Sequence, residues 1–151
     1  MPGMALKQGV EDMENMHARG GQGRRTQDRV RLDRARAQLA RQAAAFSLGV
    51  PVEAVQATGR GTAEAAQARQ VAMYLAHVAF EMSLARVALA FGRDRSTVAH
   101  ACHKIEDMRD DAGFDARLDD LETSLRAMPS PALPAAAPLN ADGRHRAELC
   151  W

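Results

Sequence analysis

The apolar residues of this chain recur at three- and four-residue steps, and no stretch alternates apolar with polar at a step of two. The first spacing puts side chains on one face of a helix, and the second is what a half-buried strand needs. The expected fold is therefore all-α. Aromatic residues make up only 4% of the 151 residues although 46% are hydrophobic, so small, Ala-rich contacts between helices must replace large rings in the core. The length suits one domain with extensions, and no fixed period recurs that would indicate a solenoid or propeller.

The helical pattern begins at Thr26, with Leu32, Ala35, Leu39, Ala43 and Phe46 as its expected buried stripe and Gly49 as its stop. Before it, residues 1–25 mix Gly, Met and charge, and Gly20, Gly21 and Gly23 read as breakers, so this segment is expected to be a flexible basic arm. Val50, Val52 and Val55 around Pro51 predict a short helix, followed by a TGRGT loop. A second long helix is expected over Ala65 to Glu81, burying Val71, Tyr74, Leu75 and Val78. Ser83 is placed to cap a short helix with Leu84, Val87, Ala88 and Phe91 on one face, closed by Gly92. Another helix is expected over Ser96 to Asp110, with Asp94 at its N-cap and Val98, Cys102, Ile105 and Met108 inside. Past Gly113, Phe114, Leu118, Leu121, Leu125 and Met128 form a seam that covers either this domain or a partner helix. The domain thus runs over 26–128, and the Pro/Ala-rich residues 129–151 read as a tail.

Two cysteines, Cys102 and Cys150, far apart and outside any CxxC pattern, fit neither a disulfide framework nor a Cys-rich zinc site. His100, Cys102 and His103 could be imagined as ligands, but a buried Cys102 acting as a small apolar residue explains the spacing better. No metal or cofactor is expected. No Ser/His/Asp, Cys/His or paired-carboxylate arrangement stands out, so an enzyme is not expected either. Neither a signal peptide nor a membrane span is visible, which leads to a cytoplasmic, nucleoid-associated expectation.

The stretch SLARVALAFGRDRSTVAHACHKIEDM carries the chemistry. A short helix, a polar turn with Gly92, and a second helix opening on small hydroxyl residues follow the helix-turn-helix plan, in which the second helix enters a major groove. Arg93 and Arg95 can reach phosphates or guanine edges, Ser96 and Thr97 let the helix end approach the bases, and the helix N-terminus itself attracts phosphate. Asp94 can accept from a cytosine amino group or cap the helix.

The segments ARQVAMYLA and FGRDRSTVAHACHKIE, within residues 30–110, resemble the C-terminal DNA-binding domain of the bacterial replication initiator DnaA. The resemblance implies a helical domain whose signature turn and recognition helix contact an asymmetric box of double-stranded DNA in the major groove, with a basic loop in the minor groove. Carried over by position, Arg93, Asp94, Arg95, Ser96 and Thr97 are recognition residues, His100 and Lys104 lie towards the backbone, and Arg69 and Gln70 are the family's Arg-Gln pair. The chain departs from the family in having one glycine before Arg93, Arg95 where a His is usual, and Ser96 where a Thr is usual. Its minor-groove loop, TGRGTAEAAQARQ, has only Arg60 and Arg69 as cations. Grip there is weaker, or comes from elsewhere, such as Arg19, Arg24 and Arg25 of the arm. The arginine run from 19 to 41 is either that DNA contact or a solvated helix face.

No GxxxxGK[ST] phosphate loop is present, so no nucleotide is expected, and the chain has no room for an ATPase module beside this domain. Free-standing proteins similar to this domain occur among bacterial regulators, including activators of gene transfer agents. The comparison implies a transcription activator working with a partner such as RNA polymerase or a sigma-like co-activator. The alternatives are a replication-associated protein at initiator boxes and a protein-interaction adaptor. Net charge is only +1, yet residues 19–41 hold eight basic and two acidic side chains, 83–105 four and one, and 106–125 two and eight. That segregation places the arm and recognition helix towards DNA and the acidic terminal segment away from it, free to meet a basic partner.

Overall fold

A computed structural model describes the backbone of residues 5–131 and the side chains of residues 22–131. The described residues form six helices and no strand: α1 (Ala5–Leu48), α2 (Val52–Gln56), α3 (Ala63–Val78), α4 (Leu84–Phe91), α5 (Arg95–Met108) and α6 (Ala112–Ala127). The residues expected to form a tail lie outside the described part from Ala132 onwards.

The first correction concerns α1, which starts at Ala5 and runs for 44 residues through Gly20, Gly21 and Gly23. A helical glycine costs about 1 kcal/mol relative to alanine, but it does not forbid the helix. Once the packed half beyond residue 30 supplies the nucleus, each added residue needs only propagation. Residues 22–29 are all exposed, so this stretch of the helix lies off the core.

The second correction is the buried stripe of the same helix. Ala37, Ala40 and Ala44 are fully buried and Asp33 nearly so, whereas Phe46 is 89% exposed and Leu32, Ala35, Leu39 and Ala43 are half-buried flanks. At 3.6 residues per turn, Phe46 points about 200° away from Ala44. Alanines face alanines: Ala65, Ala68, Ala72 and Ala76 of α3 are buried to the same degree. Side chains this small permit axes near the short end of the usual 8–10 Å spacing. Helix α3 is the centre of the fold, with six consecutive residues from Val71 to Ala76 buried. Leu75, Met82, Ile105 and Leu118 are the largest fully buried side chains and join α3, α5 and α6 in one core.

Helix α3 stops at Val78, short of the expected Glu81, because the chain turns at Glu81 with φ 53. His77 Nδ1 lies 2.7 Å from the Met82 carbonyl and braces that turn. Helices α1 and α4 end alike. Gly49 and Gly92 take φ 64 and 62, and the N–H of the residue after each reaches back past the last turn, Val50 to the Ala45 carbonyl at 2.9 Å and Arg93 to the Ala88 carbonyl at 2.9 Å. These are Schellman ends, which glycine allows without a Cβ clash.

Helix α6 lays Phe114, Leu118 and Leu125 into the core, so this seam packs within the chain; Met128, its expected last member, is exposed. The acidic stretch is partly internal. Arg109, following α5, donates to the Tyr74 hydroxyl at 2.7 Å and to Glu122 Oε1 at 2.9 Å, and also pairs with Asp115 and Asp119. Its pKa is held above the ordinary guanidinium value, first by the Tyr74 hydrogen bond. A second ion pair fastens α4 to α1: Arg86 Nε donates to Asp33 Oδ2 at 2.9 Å while Nη2 engages Oδ1.

Candidate nucleic-acid interface

Helix α4, the turn from Gly92 to Asp94, and α5 form the expected helix-turn-helix, seated on α3. Ser83 caps α4 by accepting from the Arg86 N–H at 3.3 Å. The Schellman end at Gly92 then sends the chain out towards solvent, so that Arg93, Asp94, Arg95, Ser96 and Thr97 are all exposed. Asp94 stands at the N-cap of α5, but its side chain makes no capping hydrogen bond. Water can satisfy first-turn N–H groups at an exposed helix start, so an unmade cap here costs only about 1 kcal/mol. The carboxylate is left open as an acceptor. His100 and Lys104 follow Thr97 at three- and four-residue steps and are exposed on the same face.

The inward side of this face is an open cleft. Its walls bring Arg60 of the 57–62 loop and Gln70 of α3 opposite Arg93, Thr97 and His100. Gln70 Oε1 is buried there without a hydrogen-bond partner among the described residues, an acceptor that a water or ligand donor would satisfy. Thr58 and Met73 also line the cleft, although neither stands out in the sequence. Thr58 belongs to the TGRGT loop, and Met73 follows the Arg-Gln pair by one helical turn.

Arg69 does something the sequence did not disclose. It donates to three carbonyls of the loop, Ala57 at 2.9 Å, Gly59 at 2.6 Å and Arg60 at 2.6 Å. Five donors in a rigid plane suit this task. Its guanidinium therefore shapes the loop that presents Arg60, while Gly61, at φ 59, makes the bend. Thr62 ends the loop by capping α3 through the Ala65 N–H at 3.2 Å.

The cations of this region are unpaired. Among the described residues Arg60, Arg93, Arg95 and Lys104 engage no carboxylate, whereas Arg86, Arg109 and Arg126 each do. Arg24 and Arg25 are exposed on α1, held by the helix about 25 Å along its axis before Arg41; they belong to a rod and not to the free arm expected. The side chain of Arg19 lies outside the described residues. Cys102 is buried on the opposite side of α5 from this face, and burial, followed by Glu106, pushes its thiol up to about 11. Within the described residues no group of three His, Cys, Asp or Glu could hold a metal. No helix among them is long and apolar enough to cross a membrane.

Comparison with known proteins supports the same assignment. The family described as bacterial DnaA protein helix-turn-helix matches residues 37–105. The chromosomal replication initiator protein DnaA of Streptococcus agalactiae serotype Ia is 49% identical over 61 residues, covering 40% of this chain and 13% of that protein. Its counterpart in Symbiobacterium thermophilum is 43% identical over 61 residues, covering 39% and 13%; that of Bacteroides fragilis is 40% identical over 65 residues, covering 42% and 14%. The chain thus spans about an eighth of these relatives. A crystal structure of a DNA replication initiation factor superposes with a TM-score of 0.59 at 24% identity, over 83% of this chain and 38% of that one, a likeness of fold. The turn at Gly92, the exposed start of α5 and the loop held by Arg69 lie inside the matched span, and residues 37–105 are similar to the helix-turn-helix domain of bacterial DnaA proteins.

Proposed function

We propose that this protein binds double-stranded DNA sequence-specifically through the start of α5 and regulates transcription, as an activator working with a partner protein. It is a binding protein and not an enzyme in this reading. The observation that carries it is the set of exposed cations on the helix-turn-helix and the loop beside it, Arg60, Arg93, Arg95 and Lys104, none matched by a carboxylate among the described residues. Uncompensated arginines around a helix start suit phosphates and guanine edges. Asp94, Arg95, Ser96 and Thr97 stand at the tip for base contact, with His100 and Lys104 behind them along the helix. Arg60 is offered by its loop for the minor groove, and Arg69 supports it from behind. Gln70, with an orphaned acceptor, faces the same cleft.

A second reading, binding at replication origins in competition with an initiator, is favoured by the relatives' own names as chromosomal replication initiators. Genome-wide immunoprecipitation of the tagged protein separates the two: peaks at promoters support regulation, and peaks confined to the origin support the second. No discrete peaks at all would sink both and leave a protein-binding adaptor. For a recovered site, Arg95→Ala is expected to weaken binding by about 1–3 kcal/mol if Arg95 reads a guanine. Equal binding by the variant removes Arg95 from the readout.

A further inference from the structure

We infer that Arg41, on α1, is a backbone-phosphate contact of the same interface, set over Phe91 at the helix-turn-helix turn; this rests on the DNA-binding reading above. Its guanidinium carbon lies 4.3 Å from the centroid of the Phe91 ring, at the C-terminus of α4. Its side chain makes one hydrogen bond among the described residues, a long one from Nη2 to the Ala90 carbonyl at 3.5 Å. Most of its donors are therefore unused. Of the other part-buried arginines, Arg86 meets Asp33 and Arg109 meets Asp115, Asp119 and Glu122, Arg69 spends its donors on three loop carbonyls, and Arg36 lies over the Phe80 ring. Arg41 is half-buried and meets no carboxylate among the described residues. Burial, and then the like charge of Arg93, lower its pKa.

A half-buried cation that feels the charge of another is unfavourable in the free protein, and an anion relieves it. If the position served only to join α1 to α4, an uncharged side chain would fill it without that cost. The Phe91 ring holds the guanidinium in place from one side, so less conformational freedom remains to be lost when an anion arrives. The anion this place fits is a phosphate of the strand passing the turn, because Arg93, Asp94 and the start of α5 follow Phe91 directly in the chain. Arg41 is thus a positioning contact, giving affinity and register without reading sequence.

The test uses the full chain and a fluorescent duplex of about 30 base pairs and mixed sequence, long enough for several turns of contact, with binding followed by anisotropy over a range of KCl concentrations. Each phosphate contact contributes about 0.9 to the slope of log K against log salt. Arg41→Gln is expected to lower the slope by about 0.9 and to weaken binding several-fold at low salt, with its thermal melt reporting that the fold is kept. Arg41→Lys keeps a charge but loses the planar stack, and it is expected to retain most of the slope. A folded Arg41→Gln with the original slope overturns the inference. So does an Arg41→Lys that loses the slope as fully as the Gln variant, because that result makes the ring stack and not the charge the active feature. Absence of binding by the unsubstituted chain would overturn the DNA-binding reading itself and the inference with it.

Discussion

Replacing Arg109 with methionine should separate the buried part of its network from the exposed part. Arg109 serves four partners on two helices, the Tyr74 hydroxyl at 2.7 Å, Glu122 at 2.9 Å, and Asp115 and Asp119. Tyr74 and Glu122 are only 4% and 6% exposed, whereas the Asp115 and Asp119 side chains are 39% and 60% exposed. The two aspartates can return to water, at about 0–1 kcal/mol each. The buried pair cannot. An orphaned Tyr74 hydroxyl costs about 1–2 kcal/mol. Glu122 keeps Arg126 at 3.3 Å but loses its closer partner, for about another 1–2 kcal/mol. The expected loss for Arg109→Met is about 3–4 kcal/mol, or a fall in Tm of roughly 15–25 °C for a domain of this size. Urea and thermal melts measure it. Arg126→Ala should cost less than about 1 kcal/mol, because Glu122 then keeps the better cation. Arg109→Lys should fall between, since one ammonium cannot reproduce a planar fork. A cost below about 1 kcal/mol for Arg109→Met, or an equal cost for Arg126→Ala, would show that Arg109 does not compensate the buried carboxylate.

Three further outcomes concern single sites. Arg69→Ala removes hydrogen bonds to the carbonyls of Ala57, Gly59 and Arg60, so backbone order parameters at residues 58–61 should drop below about 0.6 while α3 stays formed; an unchanged loop refutes the clamp. Gly92→Ala should destabilise by about 1–2 kcal/mol, a purely conformational cost, since φ is 62 and an added Cβ would meet no atom within 4 Å; equal stability in urea melts refutes it. The Cys102 thiol is raised from 9.0 to about 11, so its folded form stays protonated where the unfolded form ionises. Its contribution to stability is present below about pH 9 and is lost as pH rises towards 11, with Tyr74, also raised by burial, adding at the upper end. In a Cys150→Ser background, Cys102→Ala should show a smaller alkaline loss, and an identical pH profile would refute the assignment.

The elements beyond residue 50 were legible because their signals are local. Ser83 and Gly92 act at the ends of α4 as their residue types require, and Phe114, Leu118 and Leu125 bury the face that their spacing implies. The failures have physical causes. Weighting side-chain size drew the α1 stripe through Phe46, whereas the seam is alanine, which has too little hydropathy to stand out but is the only common apolar side chain small enough for that contact. The glycines at 20, 21 and 23 read as breakers because a local rule does not see a helix propagating from a packed half. At the candidate site the exposed residues of α5 were readable from the signature. Arg69 was not, since nothing in an Arg-Gln pair says that three loop carbonyls will converge on it.

The near-neutral charge takes on a different meaning once its partners are known. Of the acidic residues between 106 and 125, Asp115, Asp119 and Glu122 meet Arg109, and Asp111 caps α6 through the Phe114 N–H at 2.7 Å. Much of the negative charge is thus answered within the fold, while Arg60, Arg93, Arg95 and Lys104 are not answered among the described residues. Arg93 and Arg95 outnumber the one carboxylate at the start of α5, Asp94, so this end is locally basic although the chain as a whole carries only +1. Those four cations with Arg41 set a ceiling on phosphate contacts, and the salt slope for DNA binding should not exceed about 4–5 in magnitude. The rod geometry of α1 gives that ceiling its meaning. Were Arg24, Arg25 and the arginines next to them to wrap the same duplex, the slope would rise to about 7 or more, a result at odds with a helix that holds Arg24 about 25 Å along its axis from Arg41.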